Sequence, residues 1–164
     1  MKPILPICLF LLLMTGCKER PEVTVTLDRT EELMESAPDS ALTLLQTLDT
    51  ETFLRRGTHA RHALLFTQAQ DKNYIDETND SLISIAVDHY RQHGDVRSRF
   101  LSLYYNGRVL TNAGDHLNAM LSYAEAEELV EELNDDYYAG LLYSQMGDEY
   151  GEYYDFPKSL EAYQ

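Results

Sequence analysis

The chain has 164 residues, of which 28 are acidic and 13 basic, and its formal net charge is −15 at pH 7. That charge repels nucleic-acid phosphates and anionic lipid alike, so no nucleic acid is expected as a partner. The 44% hydrophobic content, with 12 tyrosines and no tryptophan, suffices for one ordinary domain with helix interfaces whose edges are wet.

At the N-terminus, Lys2 precedes an apolar run from Ile4 to Met14, interrupted only by Pro6. The run is shorter than the roughly 20 residues a spanning helix needs, and no second apolar run of that length follows. It ends in Met14-Thr15-Gly16-Cys17. Small residues before a cysteine at the end of an apolar run resemble the lipobox of bacterial lipoprotein signal peptides, with Met14 where that family favours Leu. The resemblance implies that residues 1–16 are a signal, that Cys17 becomes the first residue and carries lipid, and that the chain is anchored in a membrane of the bacterial cell envelope, on the periplasmic or surface side. Cys8 would leave with the signal, so no disulfide is expected.

Residues 17–27 read as a tether, with Val23-Thr24-Val25-Thr26 as a brief extended link. From Leu27 the apolar residues recur every three or four positions, the period of helices. Leu27, Leu33 and Met34 suit a first short helix. Pro38 and Asp39 start a second, with Ala41, Leu42, Leu45 and Leu48 on its face. A third spans about Thr58 to Gln70 on Ala60, Ala63, Leu64 and Thr67, and the loop Asp71 to Glu77 follows. Thr78-Asn79-Asp80 offers caps for a fourth, whose Leu82, Ile85, Ala86 and Tyr90 are expected inward and whose C′ residue is Gly94. Phe100, Leu103, Tyr104, Gly107 and Leu110 form the stripe of a fifth. After the stop and start at Gly114-Asp115 come Ala119, Met120, Tyr123, Ala126, Val130 and Leu133 on a sixth. A seventh covers about Asp136 to Tyr153, and an eighth begins at Asp155-Phe156-Pro157.

Short helices joined by short turns predict antiparallel pairs that stack to bury their apolar faces. The run Tyr104-Tyr105-Asn106-Gly107, Gly114-Asp115, Ala119, Tyr123 and Ala126 resembles the tetratricopeptide repeat, with Gly107 and Ala119 where small residues let two helices approach and Glu131 near the place of the family's terminal proline. Gly140 and Gly147 repeat the Gly107 and Gly114 spacing at a shift of 33 residues, which buries Pro157 inside a helix at about 3 kcal/mol. A shift of 40 instead puts Gly147 in the place of Gly107, with Ser159, Leu160 and Tyr163 packing the next helix, and this register is preferred. The resemblance covers residues 97–164 well and 28–96 loosely. It implies an all-α, right-handed superhelical stack of helix pairs, similar to tetratricopeptide lipoproteins of Bacteroidetes. The chain is expected to be cut inside its last pair, whose open face favours self-association.

By family position, the binding groove falls on Tyr104, Arg108, Asn112, Ser144 and Asp148. The implied function is a non-catalytic scaffold that binds an envelope protein or peptide through this groove, without cofactor or metal. The alternative is the N-terminal sensor part of a larger membrane regulator. Other candidates read more simply as structure. His89 and His93 stand four apart, as do many metal pairs, but no third ligand has a recognisable spacing. His59 and His62 are a weaker pair. Glu127-Glu128 with Glu131-Glu132 reads as a solvated helix face, and Asn134-Asp135-Asp136 as a turn and cap.

Overall fold

The structure, a computed structural model, describes residues 18–152, 158 and 161–164, all of them helix or connecting turn. The helices are α1 (Pro21–Leu33), α2 (Pro38–Gln46), α3 (Arg56–Lys72), α4 (Ser81–His93), α5 (Val96–Asn112), α6 (His116–Glu127), the single turn α7 (Val130–Leu133) and α8 (Asp136–Glu152). They pack in adjacent pairs, α1 with α2, α3 with α4 and α5 with α6. The first helices α1, α3, α5 and α8 also touch one another in that order, and each second helix touches the first helix of the following pair.

The tether expectation is corrected here. Val23-Thr24-Val25-Thr26 lies inside α1, not in an extended link. Alternation at period two also places Val23, Leu27, Thr30 and Met34 at spacings of four, three and four, and all four are buried. Pro21 occupies the first turn, where its missing N–H is no loss. Only residues 18–20 precede the helix among those described. The Glu19 carboxylate accepts the backbone N–H groups of Leu54 and Arg55, at 3.0 and 3.2 Å, at the entry to α3.

The core has two centres. Val23, Leu27, Ala41, Leu42, Leu45, Phe53, Leu65 and Ala69 form one, and a larger one runs from Ala63 and Leu64 through Ile83, Phe100, Tyr105 and Tyr123 to Leu142. Helix α3 serves both, with Leu65 and Ala69 on one flank and Ala63 and Leu64 on the other.

On helix α4 the expected Ala86 is buried and Leu82 and Tyr90 pack against the core, but the expected Ile85 does not face inward. Ile83, Ala86 and Val87 are buried, whereas Ile85 is exposed. The run Leu82-Ile83-Ser84-Ile85-Ala86-Val87 is apolar enough to offer two stripes, and the neighbours α3 and α5 select one. Gly94 follows α4 with extended backbone, φ −90°, so it is not a left-handed C′ residue. Asn79, rather than Asp80, supplies the side-chain acceptor at the helix entry, for the N–H of Ser81 at 2.9 Å. The sixth expected helix is broken: α6 ends at Glu127, Leu129 is buried at the break, and α7 is a separate turn closed by Asn134 at φ 50°.

The Gly114-Asp115 junction forms as expected. Gly114 adopts φ +76°, the left-handed region that favours glycine, while Asp115 N–H returns to the Leu110 carbonyl at 2.9 Å. The Asp115 side chain then accepts the N–H of Asn118. Inside the pair, a Cβ at Gly107 would overlap the Tyr123 ring, and one at Gly147 would lie 2.6 Å from the Tyr163 ring. Both contacts span sixteen residues, which places Gly147 in the position of Gly107, at the shift of 40. In both, glycine lies under an aromatic ring, and Ala119 is fully buried in the same core. Pro157, Ser159 and Leu160 lie outside the described residues.

Candidate functional site

The first helices share one side of the molecule, and a groove runs along it. Its stripe on α3 is Arg61, Leu64, Leu65, Gln68 and then Asp71-Lys72; on α5 it is Arg97, Ser98, Leu101, Tyr104, Tyr105 and Arg108. Steps of three and four residues keep each stripe on one face. Helix α8 adds Tyr137, Tyr138 and Leu141, and the end of α1 adds Glu31, Met34 and Glu35. Two cavities of 530 and 420 Å³ occupy the groove and share Met34 and Glu35 as lining.

Charged side chains brace the groove from helix to helix. Arg61 holds Asp28 and Glu31 of α1, each at 2.7 Å. Lys72 holds Glu35 at 2.8 Å, and Arg108 holds Asp71 at 2.8 Å while donating to Gln145 of α8. Arg97 donates to the Tyr138 hydroxyl at 3.0 Å, with its guanidinium 4.7 Å above the ring. Burial alone would lower the pKa values of Arg61, Lys72 and Arg108, but their acidic partners outweigh it and hold all three above the ordinary values. A ligand entering the groove therefore meets cations already committed to carboxylates, together with leucine and tyrosine side chains.

The residues expected at the groove separate. Tyr104 is only 4% exposed, stacked with Phe100 and edge-on to Tyr105, and it reaches the groove by one edge. Arg108 is a brace, so Arg108→Ala should lower the melting temperature, because its contacts with Asp71 of α3 and Gln145 of α8 go with it. Asn112 donates to the Glu77 carbonyl at 3.2 Å and ties down the α3–α4 loop. Ser144 and Asp148 are exposed but line neither cavity of the groove, and Asp148 accepts the Tyr163 hydroxyl at 2.6 Å. Helix α8 lines the cavities with Tyr137, Tyr138 and Leu141, and its Gln145 accepts from Arg108. Cys17 lies outside the described residues. Sequence reading also passed over Arg61, Lys72, Arg97 and Tyr138. A signal for part of them existed, since Glu35 with Lys72 and Asp71 with Arg108 are opposite charges both 37 residues apart.

A second polar cluster lies between α5, α6 and α8. Glu149 is 2% exposed, and its carboxylate accepts the Thr111 hydroxyl and faces Nδ1 of His116 at 2.8 Å. With its proton on Glu149, Thr111 accepts from the Tyr123 hydroxyl, 3.2 Å away. His89 and His93 have ring centres 5.3 Å apart and border, with His59 and Asp88, a cavity of 640 Å³. Among the described residues no three His, Cys, Asp or Glu side chains converge as metal ligands. No described helix is long and apolar enough to cross a membrane.

Compared with known protein families, with curated proteins and with solved structures, the chain matches none.

Proposed function

We propose that the chain is a lipid-anchored scaffold of the bacterial cell envelope that holds a protein or peptide partner in the groove of its first helices. In this reading Cys17 carries the lipid and the helix pairs continue as a right-handed superhelical stack of the tetratricopeptide kind. The observation that carries the reading is the groove itself, in which four successive first helices present apolar and tyrosine side chains between fixed ion pairs. Such a surface is preorganised, so a partner's binding energy is not drained by ordering it. Exposed aromatic residues at the rim supply large contact area at low entropic cost.

Tyr74 and Tyr137 line the groove and are exposed, so replacing them leaves the core intact. A photo-crosslinking residue at either position, in the lipidated protein on its native membrane, should give a discrete adduct, while one at Leu117 on α6 should not. The pair Tyr74→Ala/Tyr137→Ala should lose partner capture at an unchanged melting temperature. Equal adducts from Leu117, or none from the groove positions, would sink the proposal.

A further inference from the structure

Gln68 lies on the groove face of α3 and is only 4% exposed, yet its amide makes no hydrogen bond with any described residue. Nε2 of His62 and Oε1 of Gln70 are also unpaired, but they are sealed from solvent, whereas the Gln68 amide opens into the 530 Å³ cavity. A buried amide left unpaired costs stability, and it keeps a carbonyl acceptor and an NH₂ donor for whatever enters. The backbone of an extended segment offers an N–H and a C=O to such a group, while a helix has already used its own.

The charge around this cavity is unbalanced. Glu31, Glu35 and Asp95 line it against Arg61 and Arg97. Arg61 is divided between Glu31 and Asp28, Glu35 holds Lys72, and Arg97 is turned to Tyr138 and Asp135. Asp95 has no cation among the described residues; it accepts the backbone N–H and the hydroxyl of Ser98, which hold its pKa below the usual value against the effect of burial. Tyr90 shares the lining, and its hydroxyl makes no hydrogen bond with a described residue. Burial raises that hydroxyl to about 12; Arg61 opposes the rise and Glu31 and Asp95 add to it, so both carboxylates act on the same side chain.

We infer that the partner enters this cavity as an extended, basic segment, whose backbone pairs with the Gln68 amide and whose Lys or Arg side chain sits beside Tyr90, Glu31 and Asp95. The inference rests on the groove reading above and names the partner's chemistry. Leu64, Leu65 and Leu101 line the same cavity and cover an apolar neighbour of the basic residue. An acidic segment would meet no uncommitted cation there. A second copy of this chain would bring its own −15 against a surface of the same sign.

The probe is a positional library of acetylated, amidated hexapeptides, selected on the full chain in neutral detergent micelles. Lys or Arg should be enriched over Asp or Glu at one position by about tenfold. Asp95→Asn keeps the helix cap while removing its charge, and together with Glu31→Gln it should erase that preference. Gln68→Met should weaken the selected peptide by about tenfold at an equal or higher melting temperature, because the amide has no partner to lose. A lower melting temperature of Gln68→Met would give the amide a structural role and overturn the inference. So would selection of acidic or neutral peptides, no selection at all, or a basic preference that survives Asp95→Asn/Glu31→Gln. The crosslinks at Tyr74 and Tyr137 judge the groove separately. Adducts there without a basic preference spare the groove and sink the basic segment. If the adducts fail, the groove reading falls on the native membrane, and the library with these variants still decides whether the cavity takes a basic segment.

Discussion

Gly107 and Gly140 are both helical glycines, yet their surroundings oppose each other. The first lies under the fully buried Tyr123 ring, and the second has nothing within 4 Å of a built Cβ. Gly107→Ala should therefore destabilise the fold by about 2 kcal/mol or more, since the ring has nowhere to go. Gly140→Ala should raise stability by about 1 kcal/mol through helix propensity alone. Urea unfolding of the two variants beside the parent chain checks both signs. His62 makes a different point at the same scale. Its ring packs against Phe53 and Phe66, and Nε2 is buried without a hydrogen-bond partner. Burial lowers its pKa below the ordinary 6.5, against a hydrogen bond with the Leu45 backbone that raises it, and the neighbouring His59 adds to the lowering. The unfolded chain thus takes up a proton near pH 6.5 that the folded chain refuses. Stability is full above that pH and falls as pH drops toward the folded value. Melting temperatures at pH 7.5 and 5.5 should differ less in His62→Leu than in the parent.

Each helix is held by partners that its own sequence does not contain. For α8 these are the Arg97 and Arg108 side chains at one face and the Thr111–Glu149–His116 cluster at another. A carboxylate as buried as that of Glu149 is stable only while these donors face it, and removing it strands groups arranged around its charge. Glu149→Ala should destabilise the chain by about 3 kcal/mol. Hydrogen exchange should locate the loss, with amides of 136–152 exchanging faster while those of α1 and α2 keep their protection. Uniformly faster exchange would show that the cluster is not specific to the attachment of α8. The same dependence on partners explains why α4 buries Ile83 and Val87 rather than Ile85, since the local sequence is apolar at all three until α3 and α5 cover one side.

For the molecule as a whole, α3 is the shared wall between the two core centres, which predicts how damage spreads. Leu65→Ala removes a buried side chain from the N-terminal centre, at about 2–4 kcal/mol. Because α3 also carries Ala63 and Leu64 into the larger centre, amide protection should fall in α4 as well as in α1 and α2. A loss confined to α1 and α2 would mean that the centres are independent. The groove is likewise a property of the whole, since its ion pairs join segments 37 positions apart.

The all-helical class, most helix positions, the Gly114 turn and the shift of 40 that pairs Gly147 with Tyr163 were legible in the sequence, because period, capping and glycine geometry act over a few residues at a time. Where local signals tie, as in Val23-Thr24-Val25-Thr26 or the doubly apolar start of α4, only burial against distant helices breaks the tie. The groove residues carry no local mark at all. Family position points to Ser144 and Asp148, which line neither cavity of the groove, while Arg61, Arg97 and Tyr138 acquired their places through ion pairs and ring contacts between helices. Such contacts arise from three-dimensional neighbourhood, and so the tertiary structure alone decided which side chains share a surface.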